Sequence, residues 1–200
     1  MKIFLIVIIL VTFFVGGLYA LNSYIYNEKQ ADNNTVEEDG MVWEQYENEN
    51  LGLFFQYRTA PDGYVLIPQS TTSADPISLA NMVLVNKSEH EELLATEVPG
   101  EGPPAISFQI FSNPAKLTPL EWVKANPTLS NVDLARTAIE EKEFNGVPAV
   151  RYTTDGLYQN DTILASNNEK IYLITGSYDN SDSVVRQDFL EMLQYISFSK

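Results

Sequence analysis

The chain contains no cysteine and a single histidine. The first absence removes disulfides, thiolate zinc sites, thiol catalysis and the lipidated cysteine of a bacterial lipoprotein. The second removes most imidazole-based metal and triad chemistry. Basic residues are scarce too, 12 against 27 acidic ones in 200 residues, for a net charge of −15. No nucleic acid partner is expected, because such binders need a basic face to displace counterions. No G-x-G-x-x-G or P-loop run offers a phosphate cradle. There is no G-x-S-x-G elbow, and Lys116, Lys124, Lys142 and Lys170 have no serine three residues upstream. What the chain does have is 44% apolar and 12% aromatic residues, too much for a disordered protein.

The strongest local signal lies at the start. Ile3 to Leu21 is a run of 19 residues without a charge, and Thr12 is its one clearly polar member. As a helix rising ~1.5 Å per residue it covers about the ~30 Å of bilayer hydrocarbon. The run predicts an uncleaved signal anchor, with Tyr19, Tyr24 and Tyr26 at the far interface. A cleaved signal peptide and a buried core helix are the alternatives. Against cleavage, Leu18 stands before Ala20 where a small residue is wanted. Lys2 holds the N-terminus inside and the acidic bulk is translocated, although Lys29 opposes this. The expected localisation is the cell membrane, single-pass, with the globular part extracytoplasmic.

The expected domains are an anchor over 1–26, a flexible acidic linker over 27–40 and a globular domain over 41–200. Within 27–40 only Ala31 and Val36 are apolar, too few to offset the entropy of ordering. From residue 31 onward 10 basic and 26 acidic residues give −16, so all the excess negative charge lies outside the anchor.

Strand signals follow. Leu53 to Tyr57 is short and aromatic, and Tyr64 to Ile67 reads as its hairpin return across Ala60-Pro61-Asp62-Gly63. Met82 to Val85 is another apolar run. Ala105 to Phe111 alternates, with Ile106, Phe108 and Ile110 on one face. Thr118-Pro119-Leu120-Glu121 is a capping box with proline at the first helical position, which predicts a helix over Pro119–Ala125 stopped by Pro127. Ala135–Phe144 and Val147–Thr154 flank Asn145-Gly146, a strong hairpin signal. Tyr158–Ala165 and Lys170–Tyr178 flank a second turn. A closing helix is expected over Asp182–Tyr195, with Val185, Phe189, Leu193 and Ile196 as its apolar stripe, widened by Leu190 and Met192, and Phe198 packed after it. Hairpins and few helices point to an α+β fold on an antiparallel sheet.

Trp43-x-x-Tyr46-x-Asn48 followed by Leu51-Gly52-Leu53-Phe54-Phe55-x-Tyr57 resembles the opening of PsbP-like domains. So do Leu120-Glu121-Trp122, Phe144 to Val150, Lys170 to Ile174 and Asp188 to Leu193 with Phe198. The resemblance covers residues 43–199. This family is named for an extrinsic photosystem II subunit and includes N-terminally anchored bacterial members. Arg58 stands where such domains often carry proline. The resemblance implies an α/β/α sandwich around a central antiparallel sheet and a non-catalytic role as an assembly or binding module.

Direct chemistry was sought residue by residue. Glu89-His90-Glu91-Glu92 reads as a solvated acidic loop, since adjacent residues do not converge on one cation. Asp179-Asn180-Ser181-Asp182-Ser183 lacks the central glycine of a calcium loop, and Leu190 replaces its bidentate glutamate, so a turn and helix N-cap is expected. Gly100 to Pro104 reads as a loop. Asn33, Asn86 and Asn160 lie in N-x-[ST] triplets, read as chance matches. No catalytic, cofactor or metal residue is assigned, and no cofactor is expected. The function expected is a membrane-tethered extracytoplasmic module that binds a protein partner or envelope component. The alternatives are a small-molecule or calcium-binding domain and an envelope hydrolase working through two carboxylates.

Overall fold

The computed structural model describes residues 36–38, 40–71, 76–95 and 102–199. The run Ile3–Leu21 and residues 27–35, the expected anchor and most of the expected linker, lie outside them. Among the described residues no helix is long and apolar enough to cross a membrane. In chain order the strands are β1 (Val36–Glu38), β2 (Met41–Asn48), β3 (Leu53–Ala60), β4 (Tyr64–Pro68), β5 (Ser78–Asn86), β6 (Ile106–Ser112), β7 (Glu140–Phe144), β8 (Val147–Asp155), β9 (Gln159–Asn167), β10 (Lys170–Tyr178) and β11 (Ser197–Phe198). The helices are α1 (Lys87–Ala95), α2 (Pro119–Ala125), α3 (Pro127–Ser130) and α4 (Val184–Met192).

Short-range turn chemistry makes the hairpins. Asn145 and Gly146 have φ of 49° and 87°, as a type I′ turn requires, and β7 pairs with β8 from Phe144–Val147 outward. Asn168 and Glu169 do the same at 46° and 61° between β9 and β10. All pairings are antiparallel and form two sheets, a four-stranded one ordered β1-β2-β3-β11 and a seven-stranded one ordered β4-β5-β6-β10-β9-β8-β7. The α+β class is as expected.

The large sheet is buried on both faces, which explains the continuous apolar runs Ile163-Leu164-Ala165 and Ile171 to Ile174. On one face Ile106, Phe108, Ile110, Met82, Tyr172 and Ile174 meet Phe55 and Tyr57 of β3 together with Phe189 and Met192 of α4. Phe55 is stacked between Phe108 and Tyr46, with centroids 4.2 Å and 4.8 Å away. On the other face Trp122 and Val123 of α2 pack on Phe111, Val150, Tyr152, Leu164, Ile171 and Leu173. Helices therefore lie on both sides of the large sheet, α2 on one face and α4, beside the small sheet, on the other.

The helix over Pro119–Ala125 forms as its capping box dictates. Thr118 N–H donates to Glu121 Oε2 at 2.8 Å and Glu121 N–H to Thr118 Oγ1 at 3.3 Å. The Thr118 N–H, and after it the Thr118 hydroxyl donating to the same oxygen at 2.9 Å, hold the Glu121 carboxyl below the usual carboxylate range. Pro127 does end this helix, and the short α3 follows at once.

Several expectations are corrected. Residues 64–67 do not return along β3, because β4 pairs with β5 in the other sheet. The turn's carbonyls are taken by the end of β5 and the start of α1: Lys87 Nζ donates to Thr59 O, Asn86 Nδ2 to Asp62 O and Lys87 N–H to Gly63 O. The chain thus rounds a corner that lets Tyr57 and Tyr64 enter one core from two sheets. Strand β7 begins at Glu140, not Ala135. Ala135 and Ile139 pack on the second core instead, which draws that segment out of the sheet plane, leaving one bridge from Ala135 to Thr154. The run Glu89 to Glu92 is helical, not a loop. Asn86 Oδ1 accepts from Ser88 N–H at 3.0 Å, and good helix formers follow. Val36–Glu38, assigned to the linker, is an edge strand paired with β2, a backbone ladder that needs no apolar side chain. The closing helix starts at Val184 behind an N-cap Ser183 and tightens to a 3₁₀ turn over Leu193–Tyr195. Leu190 is exposed, since it lies about 100° around the helix from the buried Phe189.

The approach of α4 to the sheet depends on Gly176 in β10. A Cβ there would run into the Phe189 ring. Gly176→Ala is expected to cost about 1–3 kcal/mol by overpacking, read as a Tm drop of roughly 3–10 °C in the full chain. Adding Phe189→Leu is expected to recover part of that loss; no recovery would place the strain elsewhere.

Candidate functional site

Helix α4 is fastened by charges on two sides. From its first turn Arg186 Nε donates to Asp161 Oδ2 of β9 at 2.8 Å. The Arg186 guanidinium lies 4.8 Å from the centroid of the Tyr178 ring in β10, a cation–π geometry. Asp161 is 1% exposed, and its hydrogen bond raises the Arg186 pKa further above its ordinary value. Two residues on, Asp188 Oδ2 receives Arg58 Nη2 of β3 and Tyr64 Oη of β4, each at 2.8 Å. Burial, then the Asp188 charge, pushes the Tyr64 hydroxyl well above the usual phenol range. One carboxylate thus joins the small sheet, the large sheet and the helix. These charged groups are engaged in holding the fold. The sequence signal for this arrangement was Asp161, an acid at an inward position of the alternation that runs through Ile163 and Ala165.

The residues singled out for chemistry are placed as follows. Asp179 to Ser183 is a turn and N-cap, as expected: Asp182 N–H donates to Asn180 Oδ1 at 3.0 Å, and Arg186 N–H to Ser183 Oγ at 3.4 Å. In α1 the Glu89 carboxyl is raised by burial first, then by the charges of Asp179 and Glu92. Among the described residues no group of three or more His, Asp or Glu could hold a metal ion. The Asn160 amide donates to Thr154 Oγ1 and Tyr158 O and accepts from Ser177 Oγ. Asn86 is similarly engaged, so both triplets serve the fold. Asn33, Gly100 and Glu101 lie outside the described residues. Gly102 O accepts from Tyr158 Oη at 2.8 Å.

Among the described residues, hollows open at three places on the surface. One of about 270 Å³ lies between β7, β8 and the Leu193–Tyr195 turn, over Ala149 and Ile163. A second, about 450 Å³, is bordered by Glu47, Glu49, Phe54 and Phe198. A third, about 480 Å³, is bordered by Asn113, Lys116, Asn168 and Glu169. Their acids, Glu143, Glu47, Glu49 and Glu169, are all exposed. Sequence reasoning found none of these hollows, because each is made by residues distant in the chain.

Two measurements check these assignments. Asp161→Asn strips the partner from a guanidinium that is about one-quarter exposed, so the expected loss sits below the ~3–5 kcal/mol of a fully buried pair, and Tm is expected to fall by roughly 4–10 °C. An unchanged melt would show that the pair is dispensable. For Glu89, the raised folded pKa means the native state holds the proton more tightly. Stability therefore declines as pH rises from about the ordinary value of ~4.3 through the folded value, and the loss is complete above it. Glu89→Gln is expected to melt higher than the native chain at about pH 7, the gap closing near about pH 3.5. A gap that does not vary with pH would contradict the desolvated setting.

No protein-family model matches the chain, and no curated protein matches it. A solved structure does: the solution structure of cyanobacterial PsbP (CyanoP) from Synechocystis sp. PCC 6803, with a TM-score of 0.52 and 13% identity, covering 78% of this chain and 92% of that one. At that identity the likeness speaks for architecture. The described residues beyond the first strand therefore share the fold of PsbP.

Proposed function

We propose that this chain is a membrane-tethered, extracytoplasmic module without a catalytic role, whose PsbP-like domain docks a protein partner or envelope component. The observation that carries the reading is the outward face of β4 and β5. Val65 stands opposite Val85 and Ile67 opposite Val83, on the side away from the core residues Tyr64 and Leu84. Val65, Ile67 and Val83 are only half-buried, and just before β5 Ile77 is 51% exposed. On this side of the large sheet α2 packs over β8 and β9. An antiparallel edge that met only water would carry polar residues there, and an apolar strip of this kind marks an interaction surface. The uncharged run Ile3–Leu21 supports the tether, and the surplus of acids beyond it supports a domain held off an anionic bilayer.

The test is capture from solubilised membranes with the full chain. The native chain is expected to recover a stoichiometric partner, and Ile67→Lys with Val83→Lys is expected to lose it while Tm falls by no more than a few degrees. Equal recovery by the variant would move the docking face elsewhere, and repeated failure by the native chain would remove the docking role. Protease added to intact spheroplasts is expected to digest the domain. An intact polypeptide in the cytosolic fraction would end the tether reading.

A further inference from the structure

The hollow beside β7 differs from the other two in its lining. On the inward face of this sheet corner Lys142 stands opposite Ala149, and Ala149 opposite Ala165. One step along, Glu140 stands opposite Arg151, and Arg151 opposite Ile163. Ala149 and Ile163 make an apolar floor, Phe144 and Leu193 the walls, and Lys142 and Arg151 supply positive charge. The volume, about 270 Å³, is just under the ~300–1,000 Å³ of small-molecule pockets.

The ion pairs do not use every cation. Glu140 is the acid in register with Arg151, but its Oε2 lies 2.8 Å from Lys142 Nζ. That hydrogen bond, ahead of the Coulomb contributions of Lys142 and Arg151, holds the Glu140 carboxyl below its usual range. Asp161, the next acid along β9, is taken by Arg186 at 2.8 Å. Glu143 borders the hollow but is exposed. Among the described residues Arg58, Arg136 and Arg186 each have an ion-pair partner, and Arg151 has none. Arg151, half-buried as a residue, thus fronts an apolar floor with its donors uncommitted, in a domain of strong net negative charge. Its planar fork suits two oxygens of one anion.

We infer that this hollow binds a small molecule with an anionic headgroup, carboxylate or phosphate, on a compact apolar body, the headgroup on Arg151 and the body over Ala149 and Ile163. The inference does not rest on the docking face of β4 and β5, which lies at the other end of the seven-stranded order. Isothermal titration of the full chain in amphipol, with empty amphipol as blank, tests it using phenylbutyrate, phenylbutyl phosphate and phenylbutanol. At least one anion is expected to bind about tenfold or more tighter than the alcohol, and the stronger of the two identifies the headgroup. Arg151→Gln is expected to weaken the anion about tenfold while leaving the alcohol unchanged. Glu140→Gln, which frees Lys142 as well, is expected to tighten the anion severalfold. The inference is overturned if the alcohol binds as well as the anions, if Arg151→Gln in a chain of native Tm changes nothing, or if no probe binds at millimolar concentration.

Discussion

The closeness of α4 to the central sheet is the constraint on which this fold depends. A helix of nine residues is marginal by itself in water, so its persistence comes from what it covers. Bare backbone at Gly176 lets the Phe189 ring lie against β10, and Met192 and Ile196 continue the same buried line. The core between the two sheets closes at this helix. Arg186 and Asp188 fix its rotation, one bound to the large sheet and the other to both sheets. Such pairs add little net free energy, because desolvation offsets attraction. Packing supplies the stability here, and the charges select one orientation of the helix.

The two edges of the large sheet are finished differently. β7 presents Glu140, Glu141, Lys142 and Glu143, all exposed, a charged rim that blocks pairing with another strand. β4 ends in Pro68 and carries Val65 and Ile67 on its outward face. The charged edge also borders the hollow at Arg151, and the apolar edge leaves Val65 and Ile67 half-buried. Both follow from covers that stop short, α2 over β8 and β9 on one face and the small sheet with α4 on the other.

A PsbP-like architecture at 13% identity transfers the shape and leaves function to particular surfaces. The most ordered polar groups, Asp161, Arg186, Asp188, Arg58 and Tyr64, are spent on holding the helix. The Glu89 carboxyl is raised by burial first and then by the charges of Asp179 and Glu92.

Elements governed by neighbours in the chain could be read from residue order. The capping box at Thr118 and Glu121, the Asn145-Gly146 turn, the alternation of Ile106, Phe108 and Ile110 and the stripe through Phe189 act over a few residues, and each formed as read. The Asp179 to Ser183 turn did so too. The errors came where distant segments compete. β4 left β3 for β5, whose end also bonds the carbonyls of the turn between β3 and β4, Ala135 to Ile139 left the sheet to cover the second core, and Leu190 was excluded by the angle at which the helix lands. The division into two sheets, the partners of Asp161 and Asp188 and the unpaired state of Arg151 could not be read at all. Periodicity reports which face of an element is apolar; which other face meets it depends on pairings across more than a hundred residues, and those exist only once the chain has closed on itself.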